Sequence, residues 1–95
     1  MGLDGKLALV TGASRPHGVG RATALALARA GADVVVTGLH NMDGALSVAR
    51  EIASLGRRSM ALKLDATDYG DVKRGFAAVK AELGPVDIID RKSVV

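Results

Sequence analysis

Thr11, Ser14, Arg15 and His17 stand among glycines in the run Thr11-Gly12-Ala13-Ser14-Arg15-Pro16-His17-Gly18-Val19-Gly20. That mixture suits one kind of chemistry, the holding of an anion. Glycines admit a backbone to within reach of a ligand that larger residues would keep away. If a helix begins at the end of the run, its unpaired N–H groups and the positive end of its dipole favour a phosphate. Other reactive side chains are sparse. Asp65 and Asp68 lie three apart, but without histidine or further carboxylates they make no metal site. Nothing in the sequence supports Ser93 as a nucleophile, and no catalytic residue is assigned.

The flanking segments can position such a cradle. Lys6-Leu7-Ala8-Leu9-Val10 is a short apolar run of strand length. Arg21 to Ala30 is rich in strong helix formers and stops at Gly31, a natural residue just past a helix end. The pattern then repeats. Asp33-Val34-Val35-Val36-Thr37 reads as a buried parallel strand. From Asn41 to Leu55, the apolar residues Ala45, Val48, Ala49, Ile52 and Leu55 fall at helical spacing, and Gly56 ends the helix. Met60 to Leu64 is a third strand, followed by Asp65-Ala66-Thr67-Asp68, whose Thr and Asp side chains can cap a helix. Val72, Phe76, Val79 and Leu83 mark one face of a third helix, on a stripe that Tyr69 shares. Gly84-Pro85 stops that helix, and Val86-Asp87-Ile88-Ile89 is a fourth strand.

The order βαβαβαβ calls for an α/β fold, a Rossmann-type doubly wound parallel sheet with strand order 3-2-1-4. The glycine turn then lies at the topological switch between the first and fourth strands, where open α/β sheets bind ligands. A dinucleotide is the ligand this arrangement suits.

Composition narrows the classes further. The chain has 95 residues, 48% of them hydrophobic, with one Phe, one Tyr and no Trp, enough for one aliphatic core and no more than one domain. The net charge of +3 is dispersed; Arg57-Arg58, Lys73-Arg74 and Arg91-Lys92 are the only adjacent basic pairs, and the first reads as solvated turn residues. Without aromatic stacking platforms, a nucleic-acid partner is not expected. No apolar run is long enough to span a bilayer, and no charged-then-apolar leader pattern is present, so no membrane partner is expected. Zero cysteines fit a cytoplasmic protein.

These residues resemble the short-chain dehydrogenase/reductase family up to about Ile89. The resemblance is carried by Leu7-Ala8-Leu9-Val10-Thr11-Gly12, Gly18-Val19-Gly20-Arg21-Ala22, Gly31-Ala32-Asp33-Val34-Val35-Val36, Asp65, and Gly84-Pro85-Val86-Asp87-Ile88. Residues 1–89 therefore read as the N-terminal dinucleotide-binding portion of such a protein, and 90–95 as a tail departing from it. One departure lies inside the motif, where five residues rather than three separate Gly12 from Gly18. That gap also resembles the divergent enoyl reductases of the family, which usually carry Ser and Ala near the places of Gly18 and Gly20. The two glycines favour the ordinary reductase branch.

The resemblance implies roles residue by residue. Gly12 permits the tight turn; Ser14, Gly18 and the Val19 backbone meet the pyrophosphate; Gly20 lets helix and sheet approach. Asp65 and Ala66 match the positions beside the adenine, although Asp65 also reads as a turn or capping carboxylate. A carboxylate at the end of the second strand usually selects a cofactor without a 2′-phosphate. Gly38 stands there instead, followed by Leu39 and His40, and Arg15 offers a cation. NADP(H) is expected, with NAD(H) the alternative. Asp43 comes later, where it suits the start of the second helix.

The family's Asn-Asn-Ala-Gly segment, catalytic Ser and Tyr-x-x-x-Lys pair have no counterpart in these residues. Tyr69-Gly70-Asp71-Val72-Lys73 has the spacing of the last, but it falls at the start of the third helix, where packing explains the tyrosine. The resemblance implies an oxidoreductase that interconverts a carbonyl and an alcohol by hydride transfer, acting on a small molecule whose identity these residues do not specify. The 95 residues alone are expected to bind and not to turn over. A stand-alone nucleotide-binding module, or a truncated or frame-shifted product without function, are the competing readings. An incomplete sheet with an open fourth-strand edge is expected to form a homo-oligomer or to be only partly folded.

Overall fold

The computed structural model describes residues 2–11, 19–39, 42–65 and 67–90. Among these residues four strands and three helices alternate: β1 (Leu7–Val10), α1 (Val19–Arg29), β2 (Asp33–Gly38), α2 (Met42–Ser54), β3 (Ser59–Lys63), α3 (Tyr69–Glu82) and β4 (Ile88–Asp90). All strand pairs are parallel and the sheet order is β3-β2-β1-β4, as the alternation predicted.

Side-chain alternation along the strands separates two cores. Ala8 and Val10 of β1 and Val34 and Val36 of β2 pack with Ala24, Leu25 and Ala28 of α1 and Ala45, Val48 and Ile52 of α2. Leu7, Leu9 and Val35 turn to the opposite face, where Val79, Phe76 and Leu83 cover them. Two helices therefore lie on one face and one on the other, which is the doubly wound arrangement. β2, flanked on both sides and covered on both faces, is apolar at successive positions for that reason.

The helix ends follow local chemistry. At the end of α1 the Gly31 amide donates to Ala28 O at 3.0 Å and the Ala32 amide to Leu27 O at 3.1 Å, a Schellman closure. It requires the φ of +113° that Gly31 adopts. A Cβ there would also lie 2.9 Å from the Asp4 amide nitrogen, because the N-terminal turn crosses the helix end at this point. α3 starts at Asp68, whose carboxylate accepts from the Asp71 amide at 3.2 Å. Gly75 is buried against the end of the sheet, where a Cβ would meet Leu64 Cδ1 at 2.4 Å.

Three expectations change. Tyr69 does not pack with Val72 and Phe76; it is 78% exposed. It is the first residue of α3, and its ring meets Lys73 Nζ at 5.5 Å instead. Arg57 and Arg58 are not merely solvated. Arg57 Nε donates to Ala28 O at 2.9 Å, supplying a partner in the last turn of α1. Arg58 uses its amide (2.8 Å) and Nε (2.9 Å) to hold the Asp33 carboxylate, joining the first residue of β2 to the approach to β3. Finally, β4 begins at Ile88 rather than Val86 and continues to Asp90, which pairs with Val10.

Candidate functional site

The C-terminal ends of the strands form one edge, and of the positions expected to meet a ligand, Val19, Gly20, Gly38, Leu39 and Asp65 are among the described residues. β1 leads into Thr11, which is buried. α1 begins at Val19, and Gly20, its second residue, is buried. β2 ends on buried Gly38, followed by Leu39 at 38% exposure. β3 ends at Lys63, and Asp65 follows the buried Leu64. Gly12, Ser14, Arg15, Gly18, His40 and Ala66 lie outside the described residues.

The order β3-β2-β1-β4 makes the chain leave β1 for β2 on one side, while β4 returns on the other. The strand order therefore reverses between β1 and β4, and the C-terminal end of β1 lies at that switch point. The first four N–H groups of a helix have no intrahelical acceptor and lie at the positive end of its dipole. Helices α2 and α3 place Asp43 and Asp71 in their first turns; α1 has no acidic residue there. The donor end of α1 is therefore uncompensated by its own side chains, and this donor set fits a pyrophosphate. Arg21, also in that turn, is already paired. Its Nε and Nη2 hold Glu51 of α2 at 3.1 and 2.6 Å.

Asp65 is engaged in a turn. Its Oδ1 accepts from the Thr67 amide at 3.0 Å and from Thr67 Oγ1 at 2.6 Å, and its own amide donates to Asp71 Oδ2 at 2.7 Å. Asp68 caps Asp71 in turn, so three acids spaced three apart brace one another through backbone amides. The amide of Asp65, followed by the Arg74 guanidinium, holds the Asp71 carboxyl below its ordinary value. Sequence periodicity gives no sign of the first contact, since it depends on how tightly the chain turns between β3 and α3. Among the described residues no cluster of His, Cys, Asp and Glu could hold a metal ion, and no helix is long and apolar enough to cross a membrane.

Comparison with known proteins gives a consistent picture. The short chain dehydrogenase family model matches residues 6–91. The chain is 44% identical over 87 residues to the hydroxynaphthalene reductase-like protein Arp2 of Metarhizium robertsii, covering 92% of this chain and 32% of that protein. It thus spans about a third of that relative's length. A blue fluorescent protein from a metagenomic library, solved with NADPH, superposes with a TM-score of 0.85 at 35% identity over 94% of this chain and 36% of the other. A short chain dehydrogenase from Burkholderia cenocepacia J2315, solved with NADP, does so with a TM-score of 0.84 at 41% identity over 92% and 35%.

Proposed function

The chain belongs to the short-chain dehydrogenase family, and from that premise we propose that it is the NADP(H)-binding part of an oxidoreductase interconverting a carbonyl and an alcohol. The observation that carries the reading is the acid-free first turn of α1, the helix that follows β1 at the switch point between β1 and β4. The two similar structures solved with NADPH and NADP support the choice of cofactor.

In this reading the backbone at Gly12, Ser14, Gly18 and Val19 binds the pyrophosphate, and Gly20 keeps α1 close to the sheet. Arg15, Gly38, Leu39 and His40 surround the adenosine ribose, where Gly38 brings no negative charge to oppose a 2′-phosphate. Asp65 and Ala66 border the adenine, with Asp65 held in place by Thr67. NADP(H), when bound, supplies or accepts the hydride. No residue in positions 1–95 is assigned the proton transfer. The substrate is a small carbonyl or alcohol, the protein is cytoplasmic, and it associates with further copies of itself.

Amide NMR of the labelled chain during NADPH addition tests the reading. Saturable shifts concentrated at Val19, Gly20, Gly38 and Leu39 are expected. Shifts confined to the opposite edge of the sheet, or none at millimolar nucleotide, would contradict it.

A further inference from the structure

Lys63 closes β3, and in the parallel ladder it stands opposite Gly38, the last residue of β2. The register is held to the very end of both strands, because the Leu64 amide donates to Gly38 O at 3.0 Å. Both positions face the same way. On β2, Val34 and Val36 pack toward α1 and α2, and position 38 continues that alternate series. On β3, Ser59 Oγ donates to Ala49 O of α2 at 2.8 Å and Ala61 packs on the same cluster, so Lys63 continues that series.

Neighbouring strands lie only about 4.8 Å apart, and Gly38 contributes no side chain. The flexible stem of Lys63 thus carries its ammonium beside a place left open on the adjoining strand. Lys63 is exposed, and among the described residues it makes no hydrogen bond or close ion pair, although its charge also acts on the Asp71 carboxylate. Among the described residues, Arg21 is engaged by Glu51, Arg74 by Asp71, and Lys73 lies over the Tyr69 ring. From Gly38 to Ala45 the only acid is Asp43, in the first turn of α2, where the helix dipole favours it.

We infer that Lys63 is a specificity-determining residue whose ammonium receives the 2′-phosphate of NADP(H) over Gly38. The inference rests on the dinucleotide reading above. It makes the Gly38–Lys63 pair the selectivity element of this edge. A carboxylate at position 38 would take the lysine as a cross-strand partner and repel the phosphate at the same time. A different use for this lysine is to discourage pairing of β3, an edge strand, with another chain. The two uses predict different behaviour.

The test is titration of the full chain and its Lys63→Met and Lys63→Arg variants with NADPH, NADH and adenosine 2′,5′-bisphosphate, with far-UV dichroism and sedimentation on each sample. Loss of a charged hydrogen bond to phosphate is expected to weaken NADPH and the bisphosphate about tenfold in Lys63→Met. NADH should change less than about twofold, and Lys63→Arg should recover most of the NADPH affinity. Unchanged NADPH affinity in Lys63→Met overturns the inference and leaves the dinucleotide reading standing. So does an equal loss of NADPH and NADH, or a change confined to self-association. If the unaltered chain binds none of the three ligands, the dinucleotide reading itself fails and takes this inference with it.

Discussion

Asp87 holds both backbone groups of Leu7: its amide donates to Leu7 O at 2.8 Å, and its carboxylate accepts the Leu7 amide at 2.9 Å. The two residues are 80 positions apart, and they lock the start of β4 onto the start of β1. Everything toward the far edge of that pair, including the β1–β4 switch point, inherits its register from this contact. Asp87→Ala leaves the amide of a buried residue without its acceptor and is expected to cost about 1–2 kcal/mol. Asp87→Asn keeps an acceptor and should cost less. Urea midpoints at constant slope check both; equal stability of the alanine variant and the unaltered chain would count against the contact.

Gly31 offers a second test. Alanine there must adopt a φ near +113° and push its Cβ toward the Asp4 amide. A loss of about 1–3 kcal/mol is expected. Gly2→Ala, where nothing lies within 4 Å, should leave the melting temperature unchanged. Matching melts for the two variants would show that the Asp4 turn does not cross α1 as described.

The Arg58–Asp33 pair couples β2 to the approach to β3, and Arg58 Nη2 also reaches Leu83 O at 3.4 Å. The arginine side chain is 58% exposed, so solvent screens the attraction. A double-mutant cycle with Arg58→Met and Asp33→Asn should give a coupling of about 0.5–1 kcal/mol that shrinks as salt is raised. A coupling indistinguishable from zero at low salt would remove the clamp.

Asp71 makes stability depend on acid. The Asp65 amide, then Arg74, lowers its folded-state value beneath the ordinary 3.8. A depressed carboxyl contributes stability that is fully present above its unfolded value and is lost as pH falls through the folded one. Between about pH 6 and about pH 3 the unaltered chain should therefore lose more stability than Asp71→Asn does. Equal losses in the two proteins would show that Asp71 is not held by these partners.

The strand order and both layers of helices were legible because they depend on periodicity: Val34 and Val36 against Val35 already state that β2 is covered on both faces. Gly31 marked a helix end because few residues tolerate its backbone. Asp87 on Leu7 and Arg58 on Asp33 were hidden, since a charge at a strand end shows its partner only once strands from distant parts of the chain are brought side by side. Tyr69 misled for the opposite reason. Its spacing matched the apolar stripe of α3, but only Phe76, Val79 and Leu83 of that stripe reach the core, while Tyr69 at the helix start is exposed. At the candidate site, the uncharged Gly38 was readable by position, whereas its neighbour Lys63 became visible only through the ladder register.

In the proposed function this edge of the sheet binds a 2′-phosphorylated dinucleotide. The most direct measurement is the pair of dissociation constants of the unaltered chain for NADPH and NADH, followed by nicotinamide fluorescence at one ionic strength. Saturable binding of both is expected, with NADPH tighter by about tenfold or more. NADH binding as tightly as NADPH, or no saturation by either, would contradict it.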